Sequence, residues 1–266
     1  PSHLPNEGGI EMKIEIANRV LTNAIEDVWM KGKYHNGDSA KNSQLTDYAM
    51  LELVEDNLLN IYNADNQTIC RVTVPILRDR GEDASNMVVV EIDKMLKYLK
   101  TFTGDSVLLD ADDFILLQDE GGGKRASLPL VVNHPNATMI ARIQGYSISP
   151  ENPVFSSVTF ESIITTGSTL LTDAVKTCDV INNAKYLLDA NEEVFTISSR
   201  RSDIDKVDVV VDTVSSNRES ATVEVTGQFH KFFRGSVAVT IYLKDESPVI
   251  WSSGDRILIK APYITR

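Results

Sequence analysis

Cysteine and long apolar runs are what the 266-residue sequence has least of. Its only two cysteines, Cys70 and Cys178, lie within apolar patterns. So few cysteines exclude a disulfide framework, and they fit reduced core residues of an intracellular protein, not a secreted one. No run reaches the roughly 18 apolar residues that a membrane-spanning helix needs. Residues 1–11 lack the features of a signal peptide, and we expect a flexible leader there.

Positive charge is also scarce. The chain has 26 Lys and Arg against 38 Asp and Glu, which gives a formal net charge of −12. This balance excludes indiscriminate binding of nucleic acid over the whole surface, but it leaves room for one local basic surface. The chain is 42% hydrophobic, so it is not a disordered protein, and its length allows one large domain or two of ordinary size.

Constellations typical of enzymes and metal sites are absent from the sequence. The stretch GGGKRAS at 121–127 is similar to a phosphate-binding loop, but Gln118 stands where the first glycine belongs and Arg125 where Ser or Thr belongs. We predict a hairpin turn there. The acidic DADD at 110–113 lacks the spacing of a calcium loop, and the four histidines share no metal-ligand spacing. We therefore predict no catalytic residue, no metal and no cofactor.

One pattern, a helix followed by three short strands joined by turns, occurs four times. We predict its helices at 18–31, 91–102 and 168–181, with the short segment QFHKFFRG at 228–235 in the place of the fourth. The corresponding strands lie within 49–76, 106–132, 186–212 and 236–264. These repeats predict an α+β fold in which each helix packs its apolar stripe on a sheet.

Two repeats per domain divide the chain near residue 150. The segment at this point contains three prolines and little periodicity, which is typical of a linker. We expect a leader at 1–11, an N-terminal domain at 12–132, a connector at 133–153 and a C-terminal domain at 154–266.

The predicted second helix, EIDKMLKYLKTF at 91–102, has a lysine face. Helical spacing puts Lys94, Lys97 and Lys100 on one side, and it puts the apolar stripe on the other: Ile92, Met95, Leu96, Leu99 and Phe102. Such a face is typical either of a solvated helix or of a surface that contacts phosphates without reading bases. In the third helix the predicted stripe comprises Leu170, Leu171, Ala174, Val175, Cys178 and Ile181.

Four stretches carry a resemblance to a known family. They are VVVEIDKMLKYLKTF at 88–102, KRASLPL at 124–130, VFTISSRRSDIDKVDVVV at 194–211 and SPVIWSSGDRILIKAPYI at 247–264. Together they resemble DNA sliding clamps of the proliferating cell nuclear antigen (PCNA) type, over nearly all of residues 12–264. The short fourth helix and the long stretch at 32–48 depart from the family and indicate a viral or otherwise divergent clamp.

The resemblance implies a DNA-clamp fold with two similar domains, in which three chains close a ring around duplex DNA. Helices would line the hole and sheets would form the outer wall. It implies a polymerase processivity factor, not an enzyme. The implied partners are double-stranded DNA, bound without sequence preference, and a DNA polymerase, a clamp loader and other replication proteins, bound through short peptide motifs. No membrane partner is implied.

Three sets of site residues follow from the repeats and the resemblance. DNA contacts are expected from Lys94, Lys97, Lys100, Arg19, Lys176, His230, Lys231 and Arg234. A pocket for partner peptides is expected from Ile69, Met139, Ile140, Pro248, Ile259, Ala261 and Pro262. Pairing between neighbouring chains is expected from Phe114, Ile115, Leu116 and Leu117 of one chain and Val194, Phe195, Thr196, Ile197 and Ser198 of the next.

Two other functions fit the same repeats. One is a non-enzymatic β-rich structural or scaffold protein that uses the repeats for assembly. The other is an enzyme whose site is assembled across chains. Retention on circular DNA separates a clamp from both, because only a clamp is held by topology.

Overall fold

The computed structural model of the chain describes residues 12–30, 47–65, 67–79, 87–131, 148–149, 152–153, 158–182, 184–217 and 219–264. The expected leader and the pocket candidates Met139 and Ile140 lie outside these residues. The described residues form two compact units. Unit 1 holds those among 1–29, 44–63 and 71–137, and unit 2 holds those among 30–43, 64–70 and 138–266. No helix in the described ranges is long and apolar enough to cross a membrane.

The N-terminal half of the chain alternates strands with two helices. In order, the elements are β1 (Met12–Ala17), α1 (Asn18–Val28), β2 (Tyr48–Val54), β3 (Leu58–Ala64), β4 (Thr68–Pro75), β5 (Arg78–Asp79), β6 (Met87–Glu91), α2 (Ile92–Leu99), β7 (Ser106–Ala111), β8 (Phe114–Glu120) and β9 (Arg125–Pro129). The end of β3 and the start of β4, at residues 64–70, group with unit 2.

The C-terminal half repeats this order. Its elements are β10 (Ile148–Ser149), β11 (Asn152–Pro153), β12 (Ser162–Gly167), α3 (Ser168–Asp179), β13 (Lys185–Ala190), β14 (Phe195–Arg200), β15 (Lys206–Val210), β16 (Ser215–Asn217), β17 (Ala221–Thr226), a 3-10 helix at His230–Phe232, β18 (Ala238–Leu243), β19 (Val249–Ser253) and β20 (Arg256–Lys260).

The four predicted repeats of helix and strand meander are confirmed, and each has a strand before its helix that was not predicted. A strand runs directly into each helix: β1 into α1, β6 into α2, β12 into α3, and β17 towards the 3-10 helix. These strands show the alternating burial of a half-buried strand. No Gly or Pro turn separates β1 or β6 from its helix, whereas Gly167 ends β12 and Gly227, at positive φ, follows β17. The repeat is therefore strand, helix and three strands.

The extra strands are exchanged between the two repeats of each unit. In unit 1, β1 pairs with β7 of the second repeat, while β6 pairs with β2 of the first. In unit 2, β12 pairs with β18 and β17 pairs with β13. The short β5 and β16 add to β1 and β12 at equivalent positions. Both units thus share one topology, in which neither repeat can complete its sheet without the other.

Each unit has its core between its helices and its sheets. In unit 1 the apolar stripes of α1 and α2 are buried, including Leu21, Ile25, Met95 and Leu99. The second helix therefore has the stripe predicted for it, although it ends at Leu99. α1 likewise ends at Val28, three residues before the predicted end.

In unit 2, aromatic side chains replace a fourth helix. Phe229 stacks on Trp251 with ring centroids 4.8 Å apart, and Tyr186 meets Phe229 edge-on at 5.6 Å. These three rings are fully buried and form part of the core beside the single 3-10 turn. On α3, Leu171, Ala174, Val175 and Cys178 are buried as predicted, but Leu170 is 42% exposed, and its place in the stripe was wrong.

The two cysteines are buried and form no disulfide, as the sequence indicated. Burial raises the pKa of the Cys178 thiol to about 11, so the thiol stays protonated at neutral pH. Its reactivity as a thiolate is correspondingly suppressed.

Candidate nucleic-acid interface and docking surfaces

The lysine face of α2 is formed as predicted. Lys94, Lys97 and Lys100 lie on the exposed side of the helix, with side chains 50%, 71% and 55% accessible. Because the apolar stripe holds the helix on the sheets, this side is left to the solvent. The ammonium groups can therefore reach a ligand in solution.

Each of these three lysines is paired with a carboxylate. Lys94 lies 2.6 Å from Glu91 and Lys97 lies 2.5 Å from Asp93, both within α2 and its first residues. Lys100 crosses to α1, where its Nζ lies 2.7 Å from Glu26. The hydrogen bond to Glu91 raises the pKa of Lys94, so the ammonium is fully charged. On this face three positive charges are balanced by three negative ones.

Only two of the acidic partners could be predicted from the sequence. Glu91 and Asp93 stand three and four residues before their lysines, which is the spacing of helix ion pairs. Glu26 is contributed by another helix, and no local pattern points to it.

The other candidate DNA contacts divide into exposed and buried residues. Arg19 on α1, Lys176 on α3, and Lys231 and Arg234 around the 3-10 helix are exposed. His230 is only 6% exposed, and the structure removes it from the set. Burial, with the positive charges of Lys231 and Lys176, lowers its pKa to about 4, so it is neutral at pH 7 and cannot attract a phosphate.

The strands expected to pair between chains are not sheet edges. β8, with Phe114 to Leu117, lies between β7 and β9, and β14, with Phe195 to Ser198, lies between β13 and β15. Their backbone groups already pair on both sides, so this expectation was wrong. In the part of the chain that the structure describes, the outer strands next to them are β9 in unit 1 and β15 in unit 2.

Hydrogen bonds beside these ladders show which backbone groups point outwards. The Asp119 N–H donates to the Lys124 carbonyl at 2.8 Å, and the Val211 N–H donates to the Phe195 carbonyl at 2.9 Å. Hydrogen-bonded pairs alternate along an antiparallel ladder. The outward residues are therefore Arg125, Ser127 and Pro129 on β9 and Lys206, Asp208 and Val210 on β15.

Exposed apolar side chains accompany both edges. In unit 2, Val210 on β15 is 62% exposed, Ile204 before it 95%, and Val180 after α3 80%. In unit 1, Phe114 is 50% exposed and stands opposite Pro129 in the register of β8 and β9. Each edge thus combines backbone groups that no other described strand pairs with and apolar surface, as a strand-pairing interface requires.

Part of the predicted peptide pocket lies on one face of a unit 2 sheet. Tyr242, Ile250 and Ile259 stand in register on β18, β19 and β20, and Ile69 of β4 packs against them. Phe160 meets Tyr242 edge-on at 5.8 Å. Sequence reasoning named Ile69 and Ile259 but missed Tyr242, Ile250 and Phe160, because cross-strand register is not visible in one strand alone.

The residues after β20 are fixed to the same unit. The Ala261 N–H donates to the Gln67 carbonyl at 2.8 Å, and the Tyr263 N–H donates to the Glu224 carbonyl at 2.7 Å. The Lys185 ammonium lies 4.4 Å from the centre of the Tyr263 ring. These contacts hold Ala261 and Pro262 beside Ile259, while Pro248 is half-buried before β19.

Several solved structures share the fold of this chain along nearly its whole length. The PCNA of A. fulgidus, solved with the C-terminal region of FEN-1 bound, matches with a TM-score of 0.67 and 16% identity, over 96% of this chain and 99% of that one. The PCNA of Thermococcus kodakaraensis matches with a TM-score of 0.68 and 13% identity, over 95% and 100%. The chain has the fold of a DNA sliding clamp.

Bacterial clamps share the fold as well. The DNA polymerase sliding clamp of Bacillus subtilis matches with a TM-score of 0.72 and 15% identity, over 100% of this chain but 67% of the bacterial one. No protein-family model and no curated protein matches the sequence. The chain therefore shares the clamp fold with these proteins at low sequence identity, and its length corresponds to that of the PCNA chains.

Proposed function

We propose that the chain is the subunit of a sliding clamp, a ring that encircles duplex DNA and tethers replication proteins without catalysing a reaction. The observation that supports this most is the fold, matched along 99–100% of the solved PCNA chains. A ring holds DNA by topology, so an acidic protein can remain on DNA with weak contacts. This accounts for a net charge of −12.

The edges support a ring of three identical chains. β9 of one chain pairs with β15 of the next in this proposal, because both edges present outward backbone groups over five residues and apolar side chains beside them. Two different edges of the same chain make a heterologous contact, which closes into a ring when the rotation per subunit allows it. Agreement in length with the PCNA chains favours three subunits.

The exposed cations contact the duplex. Lys94, Lys97, Lys100, Arg19, Lys176, Lys231 and Arg234 meet phosphates in the hole of the ring without contacting bases. Such contacts fix no register and therefore permit sliding. The apolar face of unit 2 with Ile69 and Ile259, and with Met139 and Ile140 from the connector, receives short peptides of a polymerase, a loader and other replication proteins.

A loader-free experiment tests the function. The protein is mixed with linear duplex that carries biotin at both ends, streptavidin then blocks the ends, and gel filtration at high salt removes protein that is bound only by charge. We expect protein to stay with the blocked duplex and to leave once a restriction enzyme cuts it. Salt-sensitive loss from uncut, blocked DNA would contradict encirclement.

A further inference from the structure

The carboxylates that face the lysines of α2 suggest a role beyond helix stability. Glu26, Glu91 and Asp93 each lie within 2.7 Å of a lysine that is at least half exposed. On a surface that contacts phosphates, such a carboxylate is an internal counterion. It competes with the phosphate for the same ammonium group.

We propose that Glu26, Glu91 and Asp93 set the strength of the duplex contact, holding it weak so that the ring slides. This inference rests on the proposed function, because it concerns the same helix face. Exposed ion pairs contribute little to stability, so a passing phosphate can displace each carboxylate. The lysines then alternate between an internal and an external partner as the DNA moves.

The carboxylates lower the affinity for DNA because they compete with phosphates for the lysines. Binding that neutralises phosphates gains from releasing condensed counterions, about 0.9 ions per contact on duplex DNA. A lysine that must leave a carboxylate loses one partner as it gains the other, and the abandoned carboxylate then repels the DNA. Three such pairs remove most of the attraction that three free lysines would give.

The three carboxylates differ in where they lie relative to α2. Glu91 is the last residue of β6, directly before α2, and Asp93 lies within α2, whereas Glu26 connects α1 to α2 through Lys100. Asp93 also lies in the first turn of α2, where a negative charge favours the helix. Glu26→Gln therefore tests the proposal with the least disturbance of α2, and Glu91→Gln and Asp93→Asn complete the set.

A matched control exists in the same unit. Lys13 and Asp110 form an ion pair of 2.6 Å between β1 and β7, with partly exposed side chains like those on α2. They alternate with buried residues such as Ile14 and Leu109, so they lie on the sheet face opposite the core. Asp110→Asn changes the net charge as much as Glu26→Gln does, but away from the helices.

The experiment measures binding of a fluorescent linear duplex by anisotropy across a salt series, with thermal melting to verify the fold. For the triple variant Glu26→Gln, Glu91→Gln, Asp93→Asn we expect affinity about 10-fold higher, with a salt dependence steeper by roughly 2 to 3 ions. Each single variant should bind the duplex a few-fold more tightly than the parent, and Asp110→Asn should bind it with nearly the parental affinity.

The outcomes separate this inference from the proposed function. Parental affinity and salt slope in the triple variant, with weaker binding after Lys94, Lys97 and Lys100 are changed to Gln, would overturn the inference and leave the clamp intact. An equal gain from Asp110→Asn would also overturn it, since total charge would then explain the effect. No retention of parent or variants on end-blocked duplex would overturn both.

Discussion

His230 shows how a single residue changes its meaning when its surroundings are known. In the sequence it stands between cations and aromatics and is a fair candidate for a phosphate contact. In the structure it is buried against Phe229, and its Nδ1 has no hydrogen-bond partner among the described residues. Such a histidine contributes to folding through its neutral form only.

The pH dependence of stability follows from this burial. Because the folded-state pKa of His230, about 4, lies below the ordinary value of 6.5, the unfolded chain binds the proton first as the pH falls. Stability is therefore complete above pH 6.5 and declines towards pH 4. Between pH 7 and pH 5 we expect a loss of about 2 kcal/mol from this residue.

Urea unfolding of the parent and of His230→Gln at these two pH values measures the effect. The variant should be less stable at pH 7 but should lose much less on acidification. Equal losses in the two proteins would show that other groups cause the pH dependence.

Ile69 is expected to contribute directly to the binding of partner peptides. Its side chain is partly exposed on the apolar face of unit 2, against Tyr242, Ile250 and Ile259. Ile69→Ala removes contact area without opening the buried core, so we expect capture of a synthetic peptide with aromatic anchors and basic flanks to weaken about 10-fold. Leu77→Ala, at an apolar residue 57% exposed in unit 1, is the control. Calorimetric titration checks both, and an unchanged affinity for Ile69→Ala would place the docking surface elsewhere.

At the scale of elements, the helices and strand meanders follow from periodicity and turn residues, while pairing does not. Acidic residues and Asn are typical of turns, and Asp56 and Asn57 adopt positive φ between β2 and β3. The order of the strands, however, depends on the exchange of β1 and β6 between repeats, which connects residues far apart in sequence. The edges have a separate and local cause, because β8 and β14 are the middle strands of their meanders and leave β9 and β15 as the outer strands.

A proline in place of Leu116 tests the position of β8 inside its sheet. The Leu116 N–H points into the ladder with β7, so Leu116→Pro removes a hydrogen bond inside the sheet and should unfold unit 1. The N–H of Ser127 on β9 points outwards, and Ser127→Pro should leave the fold intact. Circular dichroism and thermal melting distinguish the two, and a well-folded Leu116→Pro protein would contradict the strand assignment.

The lysine face of α2 is expected to contribute to DNA binding and little to stability. Changing Lys94, Lys97 and Lys100 to Glu would place like charges beside Glu91, Asp93 and Glu26, at a cost of roughly 0.2–0.5 kcal/mol per pair. Changing them to Gln avoids this repulsion. We expect the Gln variant to melt near the parent temperature, because these side chains are exposed, and to bind linear duplex more weakly with a flatter salt dependence. Parental binding would show that the face is merely solvated.

At the scale of the whole molecule, the proposed ring closes through two different sheet edges of each chain. A heterologous contact makes a prediction that a symmetric dimer does not. Ser127→Pro disables β9 and Asp208→Pro disables β15, because each removes an outward donor. Each variant alone lacks one half of every contact, yet a mixture of the two retains one working pair.

Native mass measurement of these proteins at micromolar concentration tests the ring most directly. The account predicts three chains for the parent, one chain for either variant and two chains for the equimolar mixture. A trimer that persists in the folded Ser127→Pro and Asp208→Pro proteins, or a parent that stays a monomer, would contradict the pairing of β9 with β15.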